Sequence, residues 1–391
     1  MQRHLDAVRV GVIEDELSVA LEGVGGPVQC TGHCRIGNLL DAHDHVHRGS
    51  FLPPGIPVSQ PCAAFGCDGC PGSPWGSLVP WESLRLLLVV NSFASSVTAR
   101  NTVVVHQKLA RHHDVQVVET NRRGHATRFA QDAARRGIDV VVAFGGDGTL
   151  NEVATGVATT DTALAVLPGG STNVFARTLG MPNDSLQAVD LLIDALDRND
   201  ISPIGLGRCN GRYFTFHTGV GYDAAVVRRV EERAALKRYA GHPLFVVASL
   251  RTWALDYDRK KPHFALTFEG DAPEARVDDA YFSIIMNTNP YTFLGNRPLD
   301  LVPGTDLGAG LSVVTFRSMN AGHILRSLGS ALRGGGVPDA PWLDIRRDVT
   351  RLTVDNPTSF PYQLDGDYLG ETQRLEFEHV PDAMRLVRAG A

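Results

Sequence analysis

Two short stretches carry residues suited to phosphate chemistry. In DVVVAFGGDGTLNEVATG, from Asp139 to Gly156, an apolar run ends in Gly145, Gly146, Asp147, Gly148 and Thr149, and a helical pattern follows. Glycine allows positive φ and leaves no Cβ between the backbone N–H groups and a large anion. The helix that follows points its positive end at the same space, which suits phosphate. Asp147, the one carboxylate in the turn, can hold a metal ion on that phosphate or shape the turn. A strand–helix turn with no ligand has the same local pattern. LPGGSTNVFARTLG then repeats the arrangement, with Gly169, Gly170, Ser171 and Thr172 at the next strand end before another helix. In a parallel sheet, neighbouring strand ends share one edge, and ligands bind there. Two glycine turns on one edge can hold a nucleotide between them, with Asn173 and Arg177 adding polar contacts. Far downstream, LDGDYLG carries Asp365 and Asp367. By itself Asp365-Gly366 is an ordinary turn pair.

The elements that must position these residues are regular from Leu84 onward. LRLLLVVN, IDVVVAF and ALAVLPG are continuous apolar runs of the kind buried in parallel sheets. DVQVVET alternates like a strand. Between them TARNTVVVHQKLARH, HATRFAQDAARRG, TLNEVATGVA, TNVFARTLG and DSLQAVDLLIDALDR read as helices. Gly137 is placed to stop the second, and Asp184 or Ser185 to cap the last. Alternating strands and helices predict an α/β nucleotide-binding domain over 84–200. After residue 200, short strands such as RYFTFHTG, HFALTFEG, AYFSIIMNT, LSVVTF, RLTVD and RLEFEHV predict a mainly antiparallel β-sandwich domain over 201–380. The tail 381–391 is placed to return to the first domain. One long helical insert, from Ala224 to Tyr257, interrupts the strands.

The 391 residues suffice for two domains and a substantial core. A formal charge of −6 gives no support to a nucleic-acid partner. No apolar run approaches the roughly 18 residues of a membrane-spanning helix. The first residues lack the apolar stretch of a secretory signal, so a cytoplasmic protein is expected. Residues 1–83 are rich in Gly, Pro, His and Cys without helix or strand period, and read as loop or disorder. Five of the six cysteines lie there, before residue 71. Cys30, Cys34, Cys62, Cys67 and Cys70, with His33, His43, His45 and His47, offer soft ligands for zinc or an iron–sulfur cluster. A disordered extension or an early start codon explains the same stretch.

Four blocks in order give the chain a resemblance. GGDGTLNEV (Gly145–Val153), PGGSTNVFAR (Pro168–Arg177), FHTGVGYDAAVV (Phe216–Val227) and LDGDYLG (Leu364–Gly370) resemble the diacylglycerol kinase catalytic-domain family. That family includes sphingosine kinases and bacterial lipid kinases, and the actinobacterial branch is the most similar. The resemblance implies transfer of the γ-phosphoryl group of ATP, with Mg²⁺, to a lipid hydroxyl, diacylglycerol being the foremost acceptor. It implies a three-layer α/β nucleotide domain of NAD kinase/diacylglycerol kinase type. Asn91, Gly145, Gly146, Gly148, Thr149, Gly170, Thr172 and Asn173 would meet the nucleotide, and Glu152 would support the turn. Asp365 matches the aspartate thought to act as base in bacterial members. Asp147 matches a position argued to do so in eukaryotic relatives, and is expected here to organise phosphate and metal. Asp223 matches a lipid head-group contact, and Asp367 is a further candidate metal ligand. A membrane lipid substrate, peripheral contact with the inner face of the membrane and a possible homodimer belong to the same expectation.

The chain departs from the family pattern in three places. Ser92 and Ser96 replace the usual Pro and Gly of the first block. Asp367 stands where a glutamate is usual. Gly308 and Ala309 replace the aspartates of a structural Mg²⁺ turn, so that site is not expected. VVRRVEERAALKRY, with Val226, Val227, Val230 and Ala234 among Arg228, Arg229, Arg233, Lys237 and Arg238, can lie on anionic lipid or cover the second domain. FLGNRPL (293–299) is a candidate lipid entrance. The alternatives are an NAD kinase-like enzyme, against which PGGSTNVFAR argues, and an inactive lipid- or nucleotide-binding homologue.

Overall fold

A computed structural model describes residues 83–232, 247–269 and 276–390. They belong to one compact unit, Trp81–Ala391. The readings made above for residues 1–82, including the cysteine–histidine metal site, lie outside the described residues, as do Arg233, Ala234, Lys237 and Arg238.

The apolar runs form a parallel sheet. Its strands are β1 (Arg85–Val90), β2 (Asp114–Glu119), β3 (Val140–Gly145) and β4 (Ala163–Pro168). They lie in the order β4-β3-β1-β2. β3 and β4 are buried along their whole length, as continuous apolar strands must be when helices cover both faces. The covering helices are α1 (Ala99–Leu109), α2 (His125–Arg135), α3 (Asp147–Val157), α4 (Val174–Thr178) and α5 (Ser185–Asp197). α1 packs with α5, and α2 with α3. Thr98 caps α1, and Asp184 caps α5 by accepting the N–H groups of Leu186 and Gln187. Because β2 and β3 flank β1 on opposite sides, the chain reverses direction across the sheet there. The crevice at the carboxyl ends of such strands is where α/β sheets bind ligands.

The second region is antiparallel and β-rich. β5 (Ile201–Cys209), β6 (Arg212–Phe214) and β7 (His217–Gly221) lead into α6 (Tyr222–Glu231). A helix with a π-helical turn at Thr252–Asp256 precedes β8 (Phe264–Phe268), β9 (Arg276–Ala280) and β10 (Phe282–Met286). β11 (Thr292–Leu294) and β12 (Arg297–Leu299) form a small hairpin. β13 (Leu311–Phe316), α7 (Ala321–Ala331), β14 (Leu343–Val349), β15 (Arg351–Leu364) and β16 (Asp367–Val387) complete the chain. The predicted strands RLTVD and RLEFEHV are parts of the much longer β15 and β16.

β16 joins the two regions. It pairs antiparallel with β15 and β5, and at its end Arg385 and Leu386 run parallel to Ala163 and Leu164 of β4. The hydrogen-bond ladder is therefore continuous from the parallel sheet into the antiparallel region. Val226, Val227 and Val230 of α6 are buried, Val226 and Val230 against Ala248, so this apolar stripe covers protein and is closed to a bilayer. Arg228 and Arg229 pair with Glu371 and Asp256.

Candidate active site

The two glycine turns meet backbone to backbone. The N–H of Gly169 donates to the carbonyl of Gly145 at 2.8 Å. A Cβ on Gly170 would lie 2.8 Å from the Cα of Gly146, closer than real Cβ contacts come, so glycine is required there. Gly148 is exposed, with open space where its Cβ would stand. Gly146 caps α3 without a side-chain acceptor, which leaves the first N–H groups of the helix for an anion.

The carboxylates of α3 serve other helices. Asp147 accepts the N–H groups of Val174 at 3.0 Å and Phe175 at 3.2 Å, and so caps α4 from across the crevice. Burial holds its carboxyl above the usual range, against those two bonds. Glu152 accepts from Gly124 at 2.7 Å and Ala126 at 3.1 Å, capping α2 rather than lining the phosphate turn. Asn173 is buried in a left-handed conformation. Its amide is spent on Gly170 and Asn183, so it shapes the second turn from within. Thr172 is half-buried beside the exposed Ser171. Asn91 donates to Thr149 Oγ1 at 2.9 Å, which turns that buried hydroxyl inward. Ser96, one of the two departures in the first block, donates its N–H to Gly169 and its hydroxyl to Gly170, pinning its loop onto the second turn. Arg177 reaches the β11–β12 hairpin, lying over the ring of Phe293 and donating to the Gly295 carbonyl.

Asp365 enters from the β15–β16 hairpin. Asp365 and Gly366 are its two turn residues, both at positive φ, as a tight Asp-Gly hairpin turn demands. Its carboxylate is nearly fully buried and receives five donors. Oδ1 takes the N–H groups of Phe216 and His217. Oδ2 takes the N–H and hydroxyl of Thr215 and the side-chain amide of Asn151 at 2.8 Å. Burial pushes the carboxyl up to about 6, and the bonds from Thr215, Phe216 and His217 oppose the rise. Asn151 stands on α3, two residues beyond Thr149, and the sequence reading assigned it no role. Its place inside GGDGTLNEV was the available signal.

A second buried carboxylate stands at the start of α6. Asp223 accepts from the Tyr291 hydroxyl and from Gln363 Nε2 at 2.8 Å, and burial raises its carboxyl. Gln363 in turn accepts the N–H of Gly366, so this chain of bonds ends at the Asp365 turn. Asp367 is more exposed and pairs with Arg123 at 3.2 Å. Asp306 closes its own turn by accepting from Gly308 and Ala309. Among the described residues no group of three or more Asp, Glu, His or Cys side chains is arranged to hold a metal ion. A surface cavity of about 540 Å³ lies at the opposite edge of the parallel sheet beside Asp139, Asp161 and Arg385, away from all these residues.

The family model for the diacylglycerol kinase catalytic domain matches residues 85–209. The diacylglycerol kinase of Bacillus subtilis (strain 168) is 30% identical over 263 residues, which are 64% of this chain and 78% of that protein. The chain belongs to the diacylglycerol kinase catalytic-domain family. A family member from Pseudomonas aeruginosa, named "Probable lipid kinase YegS-like", is 28% identical over 323 residues, 77% of this chain and 93% of that protein. A solved diacylglycerol kinase structure from Bacillus anthracis str. Sterne shares the fold, with a TM-score of 0.58 at 19% identity, covering 78% of this chain and 97% of that one. No described helix of this family member is long and apolar enough to cross a membrane.

Proposed function

We propose that the protein is an ATP-dependent lipid kinase that transfers the γ-phosphoryl group to a lipid hydroxyl, with diacylglycerol as the acceptor to test first. One observation supports this reading above the others. α3 begins at the glycine turn suited to phosphate and, through Asn151, hydrogen-bonds the buried carboxylate on the other side of the site.

Phosphoryl transfer needs positioning, charge neutralisation and a group that accepts the hydroxyl proton. Gly148 leaves open space for the triphosphate, Gly145, Gly146 and Gly170 let the two turns pack closely, and Asp147 and Asn173 fix those turns. Mg²⁺ bound with ATP would neutralise phosphate charge. Asp147 spends lone pairs on two backbone N–H groups and Asp367 is paired to Arg123, so the donor set fits a metal held chiefly by phosphate oxygens. A carboxylate offers about four lone-pair sites, and Asp365 already receives five donors. Asp365 can therefore take the acceptor proton only after a donor yields. The Thr215 hydroxyl and the Asn151 amide are side-chain donors and can rotate away, whereas the three backbone N–H groups cannot.

A second assignment of the base has its own support. Asp223 receives two donors and keeps lone pairs unpaired, so no donor has to yield before it accepts a proton. The test uses radiolabelled ATP, Mg²⁺ and mixed micelles of diacylglycerol, with the wild type, Asp365→Asn and Asp223→Asn. A labelled lipid is expected, lost with the first substitution at unchanged ATP binding. Loss with Asp223→Asn and a near-normal rate with Asp365→Asn moves the base to Asp223. Label on NAD and on no lipid gives the NAD kinase-like alternative, and no label on either gives the inactive homologue.

A further inference from the structure

Several buried polar atoms in the acceptor half of the site have no hydrogen-bond partner, Thr218 Oγ1, Thr288 Oγ1 and the ring nitrogen Nδ1 of His217 among them. His217 is 6% exposed, and its Nδ1 makes no hydrogen bond. Buried polar atoms are paired in nearly all cases, and an unpaired one calls for a ligand or a cost. The surroundings explain where such a ligand would lie. His217 and Gly219 are on the same face of β7, since side chains alternate along a strand. A Cβ on Gly219 would stand 1.6 Å from Asp223 Oδ2 and 2.8 Å from Gln363 Nε2, so this face of β7 looks at the Asp223–Gln363 pair. The His217 ring lies 4.4 Å, centre to centre, from the ring of Tyr291, whose hydroxyl donates to Asp223. The His217 backbone pairs with Asp365 in both directions. Its N–H donates to Oδ1 at 3.1 Å, and its carbonyl accepts the N–H of Asp365 at 2.9 Å. The imidazole thus lies against Tyr291, whose hydroxyl holds Asp223, while the His217 backbone holds Asp365. Burial brings the ring down to about 3, so it is neutral and has one nitrogen to donate and one to accept.

Resting on the lipid kinase reading, we propose that His217 Nδ1 is the hydrogen-bonding partner of a second, non-reacting oxygen on the acceptor head group, so that His217 separates glyceride-type acceptors from long-chain alcohols with a single hydroxyl. Asp223 or Asp365 meets the reacting hydroxyl, and His217 reads the oxygen next to it. A single-hydroxyl alcohol leaves Nδ1 unpaired and gains nothing from it. A site built to bond a substrate oxygen discriminates strongly against the analogue that lacks it.

The test compares the full chain with His217→Phe, which keeps a ring against Tyr291 and Phe216, and His217→Asn, which returns a polar atom close to the place of Nδ1. KM and kcat are measured for dioctanoylglycerol and for dodecanol in mixed micelles, with the KM for ATP and the thermal midpoint alongside. His217→Phe raises the KM for dioctanoylglycerol at least about tenfold and leaves that for dodecanol and ATP unchanged. His217→Asn recovers most of the loss. An unchanged ratio between the two acceptors overturns the inference, as does an equal loss for both with a fallen thermal midpoint. Where His217→Phe does not fold, His217→Leu takes its place in the same comparison. Where the wild type labels neither acceptor, the kinase reading fails on its own account. Dioctanoylglycerol binding followed by tryptophan fluorescence then decides the role of His217. Weaker binding by His217→Phe upholds it, and equal binding overturns it.

Discussion

Asn151 donates its side-chain amide to Asp365 Oδ2 at 2.8 Å, and of the five donors on that carboxylate it is the one that comes from the helix of the phosphate turn. The same amide donates to the Tyr213 carbonyl at 3.0 Å. The first glycine turn and the Asp365 carboxylate, proposed to meet phosphate and acceptor, are therefore linked through one residue of α3. Asn151→Ala removes this link. A hydrogen bond to a charged group contributes about 1.5–3 kcal/mol, but this donor is one of the two that must yield before Asp365 can act, so kcat/KM for the lipid acceptor at about pH 8 stays at or above the wild-type value. The KM for ATP stays within about threefold, because the glycine turns keep their backbone contacts.

The pH profile reports Asp365. Its carboxyl is raised to about 6 by burial, so the rate climbs with pH through that value as the base ionises. The profile of kcat/KM between about pH 5 and pH 8 shows this limb in the wild type. Asn151→Ala moves the limb to higher pH, since losing a donor disfavours the charged carboxylate. Asp365→Asn lowers the rate at least about 100-fold and abolishes the limb.

Asp147 and Glu152 cap helices other than their own, and the two caps have separable consequences. Each capping carboxylate contributes about 1 kcal/mol, so Asp147→Ala and Glu152→Ala each lower the thermal midpoint by roughly 2 °C. The Asp147 variant also raises the KM for ATP, because α4 follows directly from the second glycine turn. The Glu152 variant, acting on α2, changes ATP binding much less. Scanning calorimetry with ATP titration separates the two effects. Equal ATP KM values in both variants would falsify the assignment of Asp147 to the nucleotide turn.

Gly170→Ala tests the contact between the turns. The added methyl would meet the Gly146 backbone at 2.8 Å, where no flexible side chain can give way. ATP affinity falls at least about tenfold as the turns separate, while far-UV circular dichroism stays that of the wild type.

The sequence by itself determined the α/β half, the order of its elements and the meeting of the two glycine turns. Those features rest on local rules. Continuous apolar runs make buried parallel strands, Asp184 and Thr98 cap helices within a few residues, and strand ends of a parallel sheet share an edge. Family blocks singled out Asp223 and Asp365 although both lie more than 50 residues beyond the second glycine turn. What no local rule contains is the choice of partner for each polar group. Asp147 reads as a metal or phosphate group in a glycine turn, yet its oxygens are spent on the N–H groups of another helix. Glu152 and Asn173 likewise fix backbone rather than face a ligand. The valines of α6 match a membrane helix and a core helix equally well, and only packing against Ala248 placed them inside. Asn151 and His217 acquire a role when the β6–β7 segment folds over the β15–β16 turn and brings three consecutive N–H groups to Asp365. Tertiary structure decided these cases because a buried donor or acceptor takes whichever partner the fold brings within about 3 Å, and that partner is set by chain crossing, not by neighbours in sequence.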